Sequence, residues 1–207
     1  MAITTYAELK TAIGNWLART DLTSYYDDFI DLAEARHKRD MRLRAMETRA
    51  TGSLTADSRL LALPTGFVEA RRFILTASPR HTLRFVTPDQ LTGVYNQQTA
   101  GKPDFFTVHD QFEFNRPCDS TYAYELLHYA AFTALSDSNT TNWLITNAPD
   151  VYLWSCLAES APFIGDDQRA ALWEAKYQQA KADLLSVDAK GSLHGGVLTT
   201  KTDVYNP

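Results

Sequence analysis

Residues 129–167 read YAAFTALSDSNTTNWLITNAPDVYLWSCLAESAPFIGDD, a stretch that places six aromatic residues in a polar frame. Pro149 and Asp150 are typical of a helix start, and the apolar residues that follow leave almost no polar face. A helix of this kind is enclosed on several sides, so we expect it to be the central helix of the protein. Gly165 should end it, because glycine adopts a left-handed backbone without steric cost.

Amphipathic patterns predict three more helices near the two ends of the chain. Thr5 with Glu8 forms a capping-box pattern, and apolar residues follow at helical spacing through residue 18. A similar start at residues 24–27 predicts a second helix. Asp166 or Asp167 should cap the last helix. Its predicted buried stripe consists of Trp173, Tyr177, Ala180, Leu184 and Val187.

Between residues 48 and 131 the helical period disappears. Short runs rich in Thr, Phe, Val and Tyr alternate there with Gly, Pro, Asn and Asp, which predicts strands joined by turns. The predicted strands are residues 49–54, 60–63, 70–76, 81–85, 105–109, 111–115 and 122–129. The pattern of the last of these also fits a helix. Thr87, Pro88 and Gln90 supply a cap, a first-turn proline and a capping-box partner, so residues 88–96 should form a short helix.

Together these patterns predict an α+β fold. Residues 1–47 and 132–188 should form a helical bundle, residues 48–131 a β-rich insertion, and residues 189–207 an extended C-terminal tail. The tail is rich in Gly, Thr and Lys and has few apolar residues, so its own contacts cannot offset the entropy of ordering it. We expect it to be free in the isolated chain or ordered by a partner.

Composition excludes several classes of protein. With 44% apolar residues the chain can bury a core, and its net charge of −5 argues against a protein whose main work is to hold nucleic acid. Its two cysteines have no paired spacing, so neither a zinc site nor a disulfide framework is indicated. The first residues lack the basic and apolar runs of a signal peptide, and no run of apolar residues is long enough for a membrane span.

No pattern of residues indicates catalysis, a metal or a cofactor. The five histidines lack the spacing of metal ligands, and nucleotide-binding and hydrolase motifs are absent. Ser155 and Cys156 with His128 resemble a nucleophile and a base, but the most apolar helix should hold Cys156 as an inert thiol. The paired acids at residues 27–28 and 166–167 fit helix capping better than acid–base chemistry. We therefore expect a protein that is not an enzyme.

Positive charge is concentrated in one segment of the chain. It contains Arg36, His37, Lys38, Arg39, Arg42 and Arg44. A helix that binds DNA is one interpretation of this cluster. Glu34 and Asp40 lie four residues before Lys38 and Arg44, however, and helical geometry spreads the cations around the axis. We favour a solvated helix end or one that forms salt bridges between subunits, with contact to nearby DNA as the minor alternative.

Aromatic residues between positions 122 and 154 allow two interpretations. They fit a stacking platform for bases or sugars, and core packing explains some of them equally well. The polar loop of residues 136–142 should place Trp143 where a rigid side chain can enter a pocket of a neighbouring protein. This placement favours protein contact.

Several motifs in combination resemble the head-to-tail adaptor, or connector, proteins of tailed bacteriophages, in particular the podovirus-like adaptors. The matching segments are residues 129–167, Thr5-Tyr-Ala-Glu-Leu, Phe29-Ile-Asp-Leu-Ala-Glu-Ala-Arg, Arg42-Leu-Arg-Ala-Met46 and Leu63-Pro-Thr-Gly-Phe-Val-Glu69. The resemblance implies a ring of twelve copies in the neck of the virion, beneath the portal protein. Such a ring extends the DNA channel, lets the genome pass during ejection without sequence-specific binding, and offers a platform to tail or nozzle proteins.

The resemblance also assigns roles to residues. The C-terminal tail would dock on the portal, with Leu193, Val197, Leu198 and Tyr205 as anchors. Intersubunit or channel-facing positions would be Arg36, Lys38, Arg39, Arg42, Arg44 and Trp143. The protein would be made in the host cytoplasm. Two alternatives remain open: another neck or tail-completion ring protein, and a module that binds carbohydrate or nucleic acid through its aromatic residues.

Overall fold

The computed structural model describes residues 2–19, 21–165 and 167–193 and contains two compact units. The first unit takes in the described residues up to Glu34 and those from Leu144 onward. The second unit is Ala35–Trp143. The six α-helices among the described residues are α1 (Tyr6–Leu17), α2 (Tyr26–Asp40), α3 (Pro88–Gly93), α4 (Trp143–Asn147), α5 (Pro149–Ile164) and α6 (Asp167–Leu193).

Local capping defines the ends of several helices. At α1 the Thr5 hydroxyl accepts the Glu8 N–H at 3.3 Å, and the Glu8 carboxylate accepts the Thr5 N–H at 3.1 Å, which is the predicted capping box. Thr87 and Gln90 form the same reciprocal cap at α3. Gly165 ends α5 with a φ of 71°, the left-handed conformation that glycine tolerates. These three predictions are confirmed.

The apolar helix α5 carries much of the core of the first unit. Its buried residues include Tyr152, Cys156 and Leu157, each no more than 1% exposed, so the predicted enclosure of this helix is confirmed. The Tyr152 hydroxyl donates to the Glu34 carboxylate at 2.9 Å and thereby satisfies a phenol that is otherwise enclosed. Trp16 on α1 meets Trp154 on α5 edge to face, with 5.0 Å between ring centroids.

The second unit is built on one seven-stranded sheet. The strands are β1 (Glu47–Leu54), β2 (Leu60–Ala62), β3 (Phe67–Leu75), β4 (His81–Phe85), β5 (Phe105–Val108), β6 (Gln111–Phe114) and β7 (Tyr122–Ala130). Their order across the sheet is β1-β7-β3-β4-β5-β6-β2. Neighbouring strands are antiparallel except β4 and β5, which are parallel. All seven predicted strands are present, and residues 122–129 form a strand.

Phe73 on β3 lies at the centre of the core of the sheet and is fully buried. Its ring centroid is 5.1–5.6 Å from those of four other aromatic residues, which belong to strands β5, β6 and β7. They are Phe106, Phe112, Phe114 and Tyr124. Since β3 is not hydrogen-bonded to β5 or β6, the sheet must fold over on itself to bring these rings together. The contacts are tilted or edge-to-face, the geometries that aromatic pairs prefer.

The predicted fold class, a helical bundle with a β-rich insertion, is wrong. The protein has a mixed α/β fold. Its seven-stranded sheet encloses a hydrophobic core of its own and is not an insertion in a helical bundle. The error arose because local patterns show where strands occur but not which of them pair. The nine buried members of the core of the sheet are Leu54, Phe73, Leu75, Leu83, Phe106, Phe112, Phe114, Cys118 and Leu126.

Helix α6 extends beyond Val187, the last residue of its predicted buried stripe. Trp173, Tyr177 and Ala180 are buried on α6 as expected, whereas Val187 is 66% exposed. The helix continues to Leu193 and so includes the first five residues of the segment that we predicted as an extended tail.

Replacing Phe73 by Ala should destabilise the sheet by at least about 3 kcal/mol, because the cavity would remove contacts with four rings. The measurement is urea unfolding followed by tyrosine and tryptophan fluorescence. Phe85→Ala is the matched control, since Phe85 is 61% exposed, and its loss should cost less than about 1 kcal/mol. Equal losses from the two variants would contradict the central role of Phe73.

Candidate interaction surfaces

The predicted basic cluster spans the end of α2 and the residues that follow it. The Nε atom of Arg36 lies 3.7 Å from a carboxylate oxygen of Asp40, one helical turn later. Arg42 forms an ion pair with Glu69 on β3 at 3.1 Å and donates to the carbonyls of Lys38 and Met41 at 2.9 and 2.7 Å. Arg42 thus ties the C-terminal end of α2 to the sheet, a structural role that sequence reasoning missed.

Other members of the cluster face solvent. Lys38 and Arg39 on α2 are exposed, and so is Arg44, in the short 3₁₀ helix Arg44–Met46. Between them the chain buries Met41 and Leu43 completely. The exposed cations therefore do not form one continuous stripe. This arrangement is the expected one, because helical geometry spreads the cations around the axis.

His37 lies inside this cluster but is buried, with 4% of its surface exposed. Burial, with the adjacent Arg36 guanidinium as a smaller cause, lowers the pKa of His37 to about 3. The side chain is therefore neutral at pH 7 and adds nothing to the positive charge of the cluster.

Trp143, the predicted protein anchor, is the first residue of α4 and is 39% exposed. Its ring stacks on Phe132 with 5.7 Å between centroids and an interplanar angle of 13°. Side-chain amides brace the preceding loop, because Asn139 donates to the Ala134 carbonyl at 2.6 Å and Asn142 to the Thr133 carbonyl at 2.9 Å. Trp143 is therefore a partly exposed ring that packs on Phe132 next to a hydrogen-bonded loop.

The predicted tail anchors fall mostly outside the described residues. Leu193 is the last residue of α6. Val197, Leu198 and Tyr205 lie outside the described residues.

An exposed aromatic pair on the first unit was missed by sequence reasoning. Tyr25 and Phe163 are 40% and 55% exposed, and their ring centroids are 4.7 Å apart. The buried Phe29 packs against this pair. It is 3% exposed, and its ring centroid lies 5.7 Å from that of Phe163. The only sequence signal was the position of Phe163 near the end of the apolar helix.

Cys156, the candidate nucleophile in the sequence, is fully buried in α5. Burial raises the pKa of the Cys156 thiol, and the Glu34 carboxylate adds to the shift, so this cysteine is a poor nucleophile. Within the described ranges, no group of three or more His, Cys, Asp or Glu side chains could hold a metal ion. Among the same residues, no helix has the length and apolar character needed to cross a membrane.

A comparison with protein families matches residues 4–198 to the family described as SU10 adaptor protein. The chain belongs to this family of phage head-to-tail adaptors. The resemblance drawn from the sequence motifs is thereby confirmed. The comparison with curated proteins gives no significant match. Membership makes the protein a phage adaptor and a component of the virion, and adaptors of this kind are generally structural rather than enzymatic.

The adaptor should lose stability in acid through His37. Its folded-state pKa of about 3 lies below the value of about 6.5 for an unfolded chain, so the unfolded state takes up the proton first as the pH falls. This histidine should remove about 2 kcal/mol of unfolding free energy between pH 7 and pH 5.

Urea unfolding at pH 7, 6 and 5 tests this prediction. His37→Leu should have a shallower pH dependence than the parent, because it removes the group that takes up the proton on unfolding. The same slope in His37→Leu and the parent would show that His37 does not carry the effect.

Proposed function

We propose that this adaptor assembles into a ring of twelve copies beneath the portal of the phage capsid, where the ring extends the DNA channel and provides the attachment platform for tail proteins. Family membership supports the setting in the virion neck. The observation that carries the proposal of a ring is the exposed Tyr25–Phe163 aromatic pair on the first unit.

Large apolar side chains at the surface favour association between copies. In the first unit Trp16 is 50% exposed and Leu32 51% exposed, in addition to Tyr25 and Phe163. Rigid aromatic residues beside apolar neighbours are the typical anchors of protein interfaces. A ring joins two different faces of each subunit, so this surface need not be self-complementary.

The C-terminal segment supplies the proposed contact with the portal. Helix α6 extends to Leu193, and the sequence beyond it contains Val197, Leu198 and Tyr205 among small and polar residues. A segment of this composition gains order and apolar contacts together when a partner binds it. Leu193 would begin this contact at the end of the helix.

The basic cluster and Trp143 are proposed to face neighbouring copies or the channel. Lys38, Arg39 and Arg44 are exposed and suit contacts with acidic neighbours. DNA passes easily through a channel whose wall binds phosphates weakly. The net charge of −5 on each chain favours such weak binding, so the genome can slide through.

Assembly should weaken when the aromatic pair is removed. Combining Tyr25→Ser with Phe163→Ser should raise the concentration for half-assembly at least about thirtyfold, the effect of losing about 2 kcal/mol at an interface hot spot. Sedimentation velocity over a range of concentrations measures this midpoint. Val94→Ser is the control, because Val94 is 73% exposed in the second unit and distant in sequence from the pair.

Thermal unfolding must be checked alongside, since Phe163 also covers Phe29. A variant that remains folded and assembles at the concentration of the parent would refute a role for the pair. A parent that stays monomeric at every concentration, with and without portal, would refute the ring.

Deleting residues 194–207 should abolish cosedimentation with portal rings while leaving α6 and self-assembly intact, because it removes the proposed anchors Val197, Leu198 and Tyr205. Serine substitutions at those three positions should reproduce the loss. Serine at Thr199, Thr200 and Thr202 provides the matched control, since these changes keep the length and the hydroxyl groups. Portal binding that survives the deletion, or binding to tail proteins alone, would favour another neck protein.

A further inference from the structure

Charge is divided unequally between the two compact units. The sequence segments 1–34 and 144–207 carry 7 Lys and Arg against 14 Asp and Glu, a formal charge of −7. Residues 35–143 carry 13 against 11, a formal charge of +2. The first unit of one copy and the second unit of another therefore attract each other at long range.

The positive charge of the sheet is concentrated on its outer face. Arg49 on β1 and Arg72 on β3 reach the same carboxylate, that of Glu125 on β7, at 3.7 and 3.5 Å. Their shared partner places all three on one face. Arg71 pairs with Glu47 and lies over the Tyr129 ring, with 5.4 Å from the guanidinium carbon to the ring centroid.

Arg84 on β4 belongs to the same face. Leu83 is 3% exposed in the core, so the next residue along the strand points outward. Phe73 pairs with Leu83 across the sheet, which brings their neighbours Arg72 and Arg84 to the outer side together. Arg84 is exposed, and among the described residues no ion pair involves it.

We define the arginine face by these four cations, Arg49, Arg71, Arg72 and Arg84. Among the residues that the structure describes, two carboxylates, those of Glu47 and Glu125, offset them through direct ion pairs. The side chain of Glu125 is 12% exposed, so the arginines project beyond it toward solvent. The face thus keeps an excess of guanidinium groups that can accept further carboxylates in bidentate geometry.

A surface of opposite charge lies on α2 in the first unit. Asp28 and Asp31 are exposed and three residues apart, so they share one side of the helix. Leu32, which is 51% exposed, lies one turn after Asp28 on that side. Asp27, by contrast, is engaged by Lys10 at 2.6 Å and by the Tyr6 hydroxyl at 2.8 Å. We define the acidic ridge as Asp28, Asp31 and Leu32.

We propose that the arginine face of one copy binds the acidic ridge of a second copy. The inference rests on the proposed ring and specifies the two different faces that a closed ring of identical copies must join. Carboxylates of the ridge would meet Arg49 and Arg84 at the two sides of the face. Leu32 would pack on Leu127 of β7, which lies opposite both Arg49 and Arg72 in the sheet register and is partly exposed. A second copy fits better than DNA, because it supplies both carboxylates for the arginines and an apolar side chain for Leu127, whereas the DNA backbone supplies phosphates alone.

Charge exchange tests this pairing in the full-length chain. Arg49→Glu with Arg84→Glu should raise the concentration for half-assembly at least about tenfold, because like charges would then face each other. Arg72 is left in place to neutralise Glu125. Adding Asp28→Arg and Asp31→Arg to the same chain should return the midpoint to within about threefold of the parent, since the attraction is restored with its sign reversed.

The control is Arg80→Glu with Lys102→Glu, which changes the net charge equally at residues outside the arginine face. It should weaken assembly clearly less than the reversal at Arg49 and Arg84, because it alters the long-range attraction equally but leaves the proposed contact intact. Sedimentation velocity gives the midpoints, thermal unfolding confirms that each variant folds, and filter retention of double-stranded DNA is measured in parallel.

Each outcome has one meaning. Loss of assembly on charge reversal and recovery on exchange supports the pairing. A reversed variant that assembles like the parent, or an exchanged variant that does not recover, overturns it while leaving the ring intact. Reversal that reduces DNA retention but not assembly assigns the arginine face to nucleic acid. Absence of a ring in the parent overturns the proposed function and this pairing together.

Discussion

Burial of Phe73 among four aromatic rings is the interaction on which the second unit depends. It requires a sheet that folds over, so that β3 meets strands to which it is not hydrogen-bonded. Side chains alternate along a strand, and the burial of Phe73 therefore sends Arg72 to the opposite face. The same alternation places Arg84 outward next to the buried Leu83. The core thus determines which charges the sheet displays.

The packing of the first unit depends on the cover of helix α5. Helix α5 is almost wholly apolar and needs cover on several sides, and Trp16 and Tyr152 show how α1 and α2 supply part of it. The helices nevertheless leave Tyr25, Leu32 and Phe163 exposed. The exposed parts of these side chains contribute little to a monomer in water, whereas an assembling adaptor can bury them between copies. The surface that a lone subunit leaves uncovered is the one that the proposed ring would use.

Charge and apolar surface play complementary parts in this picture. Apolar contacts such as that of the Tyr25–Phe163 pair supply affinity without direction, while opposed charges set which faces meet and in which register. The members of the predicted basic cluster differ in what their side chains do. Arg42 ties α2 to β3, His37 is buried and neutral, and Lys38 and Arg39 remain available at the surface.

The sequence by itself predicted five of the six described α-helices, the seven strands, the caps at Thr5, Thr87 and Gly165, and the membership in the adaptor family, because these depend on short-range periodicity and local motifs. Helix α4 was missed. Only the tertiary structure decided the fold class and the arginine face. Strand pairing joins residues far apart in the chain, such as Arg49 and Arg72 around Glu125, and no local pattern records it. The exposed Tyr25–Phe163 pair was hidden for the same reason, since burial depends on which elements pack over a residue and not on its neighbours in sequence.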